Sequence, residues 1–149
     1  MRYFAYGANL DRAHMAECCP GAVPRGPAVL PGYRLRIARA GYATVEPEEG
    51  ARVLGFLWEL GPADLAALDR FESVGEGLYY RDQAGITGPR GDPETAMLYR
   101  ASDPAPGIPN PGYLERVIAL GRELGFPESY LGELGRLAGP PLPPSARPR

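Results

Sequence analysis

Glu72 is the residue whose type and position first suggest chemistry. It ends the run Pro62-Ala63-Asp64-Leu65-Ala66-Ala67-Leu68-Asp69-Arg70-Phe71-Glu72, in which Leu65, Leu68 and Glu72 share one helical face and Phe71 lies beside them. Glutamate is seldom buried without a partner, so two readings stand. Either the helix has ended and Glu72 points to water, or its carboxylate sits at the rim of an apolar cavity. In the second case burial raises its pKa and lets it exchange a proton near neutral pH. The next residues, Ser73 to Arg81, supply small turn residues and then Tyr79 and Tyr80, a composition that permits a pocket mouth.

The second candidate is Tyr6-Gly7-Ala8-Asn9-Leu10, just after a short apolar strand. A phosphate loop needs more glycines and a helix carrying a lysine, and neither is present, which excludes nucleotide binding. The stretch does offer consecutive backbone N–H groups near a helix start, a nest for an anion such as a carboxylate. It reads equally as a strand-to-helix turn capped by Asn9. Of the nine tyrosines, Tyr6, Tyr79, Tyr99 and Tyr113 stand at element ends, where a hydroxyl can reach a ligand.

Other chemistries lack their residues. Ser73, Ser102, Ser129 and Ser145 have no GxSxG context, and His14 is the single histidine. That histidine reads as a solvent-facing helix-surface residue. The carboxylates show no metal-ligand spacing, so neither a metal nor a cofactor is expected. Cys18 and Cys19 are adjacent, lack a basic neighbour and read as inert packing residues in a reducing cytoplasm.

The elements that must position these residues follow from periodicity. Residues 2–6 read as a strand, and Asn9 or Asp11 caps a short helix over 11–18. Residues 20–32 are rich in proline and glycine and read as loop and strand edge. Residues 33–38 alternate, with Tyr33, Leu35 and Ile37 opposite Arg34 and Arg36. A short strand is expected at 42–45 and a stronger one at 52–60, with Leu54, Phe56, Trp58 and Leu60 on one face and Gly55 marking a close approach. Pro62 opens the helix that ends at Glu72. Strands follow near 78–87 and 95–100. A helix over 111–124 places Tyr113, Val117, Leu120 and Leu124 in register and is closed by Gly125, and a last helix spans about 127–137. This order is not regular βαβ. It predicts an α+β fold: a small mixed sheet, curled or closed into a barrel, with helices packed on it. Residues 1–138 are expected to form one domain, with a proline-rich tail at 139–149.

Composition bounds the partners. The chain has 149 residues, 44% of them hydrophobic and 23% charged, enough for one core. A net charge of −2 gives no electrostatic case for nucleic acid, and no apolar run is long enough to span a membrane. Neither a nucleic acid nor a membrane is therefore expected as a partner, and the protein is expected to be a monomer or homodimer.

Several segments, taken in order, carry a family resemblance. They are Tyr6-Gly7-Ala8-Asn9-Leu10, Gly55-Phe56-Leu57-Trp58-Glu59-Leu60, Asp64-Leu65 with Leu68-Asp69-Arg70-Phe71-Glu72, Gly77-Leu78-Tyr79-Tyr80-Arg81, Tyr99, and Pro109-Asn110-Pro111-Gly112-Tyr113. In these residues the sequence resembles the gamma-glutamylcyclotransferase-like family, which also includes the plant avirulence-induced-gene-like proteins. The first segment resembles the YGSNL signature, with Ala8 in place of serine. The others resemble the GxxW/Y strand, the DL..LD..E helix, the G-x-Y-x-R that follows it, a late strand tyrosine and a P-x-P-x-Y helix start. The resemblance covers residues 2–135.

It implies a small mixed β-barrel ringed by helices, with a cavity for a gamma-glutamyl group. It implies that Glu72 is the acid–base residue. The backbone of Tyr6, Gly7, Ala8, Asn9 and Leu10 would hold the glutamyl portion. Tyr6, Tyr79, Tyr99 and Tyr113 would be pocket walls and hydroxyl donors. Family members release 5-oxoproline from gamma-glutamyl peptides, glutathione or gamma-glutamyl amines, using the substrate's own α-amine as nucleophile, so no cofactor is implied. Ala8 removes one hydroxyl from the signature and leaves the backbone role intact. The alternative is a non-catalytic, small-molecule-binding or protein-interaction member of the same fold.

Overall fold

A long hairpin dominates the computed structural model, which describes residues 1–139. Strand β2, Val23–Ile37, runs antiparallel to β3, Ala43–Glu59, from the pair Ile37↔Ala43 out to Val23↔Glu59. The stretch over 20–32, expected to be mostly loop, is therefore largely strand, and the two strands expected at 42–45 and 52–60 are one. The prolines misled for a physical reason. Proline lacks an N–H and survives where no ladder bond is needed or where the ladder slips. Apart from the pair Val29↔Thr87, no pairing joins β2 to a strand on its other side, and its register with β3 shifts at Pro24/Gly26 and at Pro31/Tyr33.

The remaining strands close a barrel in the order β1-β3-β2-β4-β5. Strand β1, Arg2–Ala5, pairs antiparallel with β3 and parallel with β5, Pro93–Ala101, at Tyr3↔Met97. Strand β4, Tyr79–Thr87, pairs with β5 along its whole length. The alternation expected in β3 holds for Phe56 and Trp58, but Val53 and Leu57, at the alternate positions, are fully buried too. Helix α1, Arg12–Cys18, reaches β3 through the Arg12 guanidinium, which sits 5.8 Å over the Phe56 ring. At Gly55 a Cβ would run into the Ala5 carbonyl oxygen and the Phe4 ring, the close approach that its place in the strand suggests.

Helix α2, Pro62–Phe71, joins β3 to β4. Its start is tied down by buried Asp64, which accepts from the N–H groups of Gly61 at 2.9 Å and Gly21 at 3.2 Å. Glu72 is its last capped position, with its N–H bonded to the Leu68 carbonyl at 2.8 Å. The chain then reverses through Ser73, whose φ of 53° is left-handed, a conformation more often given to glycine or asparagine at a helix end.

Helices α3, Tyr113–Glu123, and α4, Glu128–Gly135, pack together on the barrel. The buried face of α3 is Leu114, Val117 and Gly121: Val117 is in its expected place, while Leu114 and Gly121 stand one position beyond the expected Tyr113 and Leu120, which with Leu124 flank the face half-buried. Gly121 explains the offset: a Cβ there would meet the Phe126 ring at 2.8 Å, so a glycine face takes part in the packing. Beyond Gly139 the expected proline-rich tail lies outside the described residues. Among those residues no helix is long and apolar enough to cross a membrane.

Candidate active site

The turn after β1 and the end of α2 meet over a cavity of about 360 Å³. Tyr6, Gly7, Ala8 and Asn9 line one side of it, and Glu72 and Ser73 another. Tyr79 from β4, Tyr99 from β5 and Tyr113 from α3 complete much of the wall. Thus eight of the nine site residues expected from the sequence border one cavity, Leu10 excepted. Leu10 is buried in the core, and its N–H is bonded to the Gly7 carbonyl at 3.0 Å at the short 3-10 helix Ala8–Leu10.

That turn puts Asn9 to a use other than capping. Asp11 is the cap of α1, accepting at Oδ1 from the N–H groups of Ala13 and His14 at 3.0 and 3.1 Å. Asn9 is buried with its amide turned toward the cavity floor. Its Nδ2 donates to the Tyr3 hydroxyl at 2.7 Å and to Glu72 Oε1 at 3.1 Å, while Oδ1 is buried without a partner. The Asn9 bond holds the Glu72 carboxylate in place and favours its charged form. Burial works against it and prevails, pushing the carboxyl from 4.5 up to about 7. At neutral pH Glu72 is therefore divided between a proton acceptor and a proton donor.

Gly7 is required by close approach: a Cβ there would lie 2.8 Å from the Tyr113 hydroxyl. That hydroxyl accepts from the Ala43 N–H at 3.2 Å and also faces the Ala8 N–H. Burial pushes it up to about 12, so it keeps its proton and can donate it into the cavity. The other three tyrosine hydroxyls expected to meet a ligand are already committed to the fold. Tyr6 donates to the Tyr99 carbonyl, Tyr79 to the Ala43 carbonyl at 2.6 Å, and Tyr99 to Asp69 Oδ1 at 2.7 Å. Their rings form the wall, but their protons tie the barrel strands to one another and, through Asp69, to α2. Asp69 also takes a forked ion pair from Arg81, which with Tyr99 holds its carboxyl below the usual 3.8.

Sequence reasoning missed Tyr3, Tyr42, Phe71, Leu78 and Arg116 as wall residues. Tyr3 carries no signal apart from its strand. Arg116 did have one: it lies three residues after Tyr113 on the same helical face. His14 differs from its expected solvent-facing place, lying against the Phe71 ring at 4.4 Å with Nε2 buried and unpartnered. Both cysteines are free, Cys19 buried beside the Asp64 carbonyl. No group of His, Cys, Asp and Glu side chains among the described residues can hold a metal ion.

Comparison with known proteins identifies the family. The sequence pattern of the family described as gamma-glutamyl cyclotransferase, AIG2-like, matches residues 3–115. The chain is 29% identical over 148 residues to the gamma-glutamylcyclotransferase of Bos taurus, covering 91% of this chain and 77% of that one. It is 29% identical over 145 residues to its Mus musculus counterpart, covering 89% and 76%. A solved structure of a gamma-glutamyl cyclotransferase superposes with a TM-score of 0.81 at 25% identity, covering 91% of this chain and 86% of the other. The chain belongs to the gamma-glutamyl cyclotransferase, AIG2-like family.

Proposed function

We propose that this protein is a cyclotransferase that closes a gamma-glutamyl group onto its own α-amine and releases 5-oxoproline, with Glu72 as the base and then the acid. The observation that carries this reading is a carboxyl with its pKa raised to about 7 on the wall of a closed-ended cavity, held by Asn9. A group poised there can take and return a proton at working pH. Membership of the family and the named relatives support the same activity.

The reaction assigns work to few residues. The substrate α-ammonium docks against Glu72 and donates to its carboxylate. Glu72 takes one of its protons, and the free amine attacks the γ-carbonyl carbon of the same molecule. A C–N bond forms, and the carbonyl oxygen becomes an oxyanion. The Tyr113 hydroxyl, whose acceptor sites face the Ala43 and Ala8 N–H groups, turns its proton toward this oxygen. The backbone N–H groups of Gly7 and Asn9 hold the α-carboxylate, while that of Ala8 stays with the Tyr113 hydroxyl. Glu72 then protonates the departing nitrogen, the old C–N bond breaks, and the carbonyl re-forms. Of the three ammonium hydrogens, one stays on the lactam nitrogen and two end on the leaving amine, which departs as its ammonium. The ring closure is intramolecular, so holding the substrate folded supplies much of the rate. The signature's missing hydroxyl at Ala8 has no part in these steps.

Residues 1–138 are read as one catalytic domain, since a single core cluster runs from Tyr3 to Leu134. The two free cysteines favour a reducing, cytoplasmic setting.

The test is to incubate the protein and its Glu72→Gln variant with gamma-glutamyl amino acids, gamma-glutamyl amines and glutathione, and to measure 5-oxoproline. Release by the parent is expected, with a loss of about 10³-fold in the variant. No release from any substrate overturns the activity. Equal release by both proteins overturns the role of Glu72.

A further inference from the structure

The cavity has a closed end and a mouth that differ in charge. At the closed end, Tyr3, Asn9, Tyr79 and Tyr99 are buried. At the mouth, Tyr42, Phe71 and Arg116 are exposed. Arg116 is the one cation among the described residues lining the cavity. Its guanidinium is bonded through Nη2 to Asp11 Oδ2, while Asp11 Oδ1 is occupied by the N–H groups of Ala13 and His14. The arginine is thus held in one place by a carboxylate that is itself fixed at both oxygens. A guanidinium carries five donors, so a single ion pair leaves most of them open. Its side chain is 57% exposed at the cavity rim.

On the reaction proposed above, the γ-glutamyl ammonium belongs at half-buried Glu72, on the side where its carboxylate meets the buried Asn9 amide, so the substituent on the scissile nitrogen points away from Asn9 toward the exposed rim. We propose that Arg116 is a specificity residue that binds a carboxylate on the leaving group. Leaving groups that carry a carboxylate, such as amino acids, are then favoured over plain amines. This rests on the cyclotransferase reading, and its test separates the two.

Gamma-glutamyl-alanine and gamma-glutamyl-ethylamide differ only by the carboxylate on the leaving group. The quantity to measure is the ratio of their kcat/KM values. In the parent protein the ratio is expected to be about tenfold or more in favour of alanine, the size of one charge-assisted contact at a partly wet site. Arg116→Gln should bring the ratio close to one, chiefly through the KM of the alanine substrate, and Arg116→Lys should fall between. Asp11→Asn is the deciding variant, because asparagine caps a helix as well as aspartate does and the change frees the guanidinium. If Arg116 reads a carboxylate, this variant keeps or increases the ratio. If Arg116 is only a strap between α3 and the start of α1, it behaves as Arg116→Gln does.

No preference in the parent overturns the proposal. So does a parallel loss on both substrates in Arg116→Gln, which would mean that the arginine holds the shared α-carboxylate or only supports the fold. Dissociation constants for the same pair, measured by calorimetry, give the same ratio without turnover. A retained binding preference with no 5-oxoproline would overturn the cyclotransferase reading and leave this assignment standing.

Discussion

Asp69 and Glu72 sit three residues apart at the end of one helix, yet their surroundings give them opposite proton affinities. Asp69 takes a forked ion pair from Arg81 and the Tyr99 hydroxyl, and its carboxyl is held below 3.8. Glu72 receives one amide N–H, from Asn9, and burial raises its carboxyl to about 7. The helix supplies both acids, and their partners divide the labour. Asp69 braces β4 and β5 against α2 and stays charged. Glu72 is left short of partners at the cavity wall and is free to exchange its proton. A carboxylate's role in this protein is set by how many donors reach it and by how much water is removed, rather than by its place in the helix.

That contrast can be broken at several points. The largest effect expected is in the pH profile. If Glu72 must be ionised to take the substrate's proton, kcat/KM climbs about fiftyfold between pH 5 and 7 and levels off about one unit above 7. A flat profile over that range would assign the base elsewhere.

Removing the one donor that Glu72 has should sharpen the difference further. Asn9→Ala takes away the bond that favours the charged form, so the acid limb moves to higher pH. At pH 7 kcat/KM is expected to fall about tenfold or more, since the carboxylate is also less well held. An unmoved limb would show that Asn9 does not touch the titrating group.

The opposite intervention, Asp69→Asn, keeps the Glu72 limb in place and lowers stability. The Arg81 and Tyr99 contacts lose their charge, at a cost of roughly 1–2 kcal/mol, or a melting temperature lower by several degrees. Because the folded pKa of Asp69 is depressed, its contribution is present above the carboxylate's ordinary value and is lost as pH falls through the folded one. Parent and variant should therefore converge in melting temperature only as pH falls below the ordinary carboxylate value of 3.8 and through the lower folded one. A difference that persists there would mean that packing, not charge, is lost.

Smallest is the stability effect of Glu72→Gln, and its sign is reversed. The folded pKa of Glu72 is raised, so the folded state holds the extra proton between 4.5 and about 7, and stability falls as pH rises through that window. Replacing the carboxylate should raise the melting temperature by roughly 3 °C at pH 8 and by little at pH 4.5. A variant that melts lower at pH 8 would mean that ionised Glu72 stabilises the fold after all.

Much of the framework was legible in the sequence because it depends on neighbours in the chain. The alternation of Tyr33, Leu35 and Ile37, the apolar face of α2 ending in Glu72, the Pro62 start and the Gly55 close approach all follow from spacing. The full length of β2 was not legible, because prolines mark loops unless the ladder beside them is empty, and only the barrel's pairing reveals that. The site divides in the same way. The turn after β1 and the carboxylate after α2 could be picked out one at a time, and the family resemblance joined them.

By itself the sequence determined the kind of fold and the few side chains able to do chemistry: one glutamate at a helix end, one strand-ending turn and a set of tyrosines. The tertiary structure decided what each of them is free to do. It committed the hydroxyls of Tyr6 and Tyr79 to strand carbonyls and that of Tyr99 to Asp69 on α2, and left that of Tyr113 able to donate. It brought Asn9 across 63 positions of sequence to Glu72 and set Arg116 at the mouth. The physical reason is that a proton affinity or an open hydrogen-bond site depends on every group within a few ångströms. Here those groups come from β1, its following turn, α2, β4, β5 and α3, which only the closed barrel brings together.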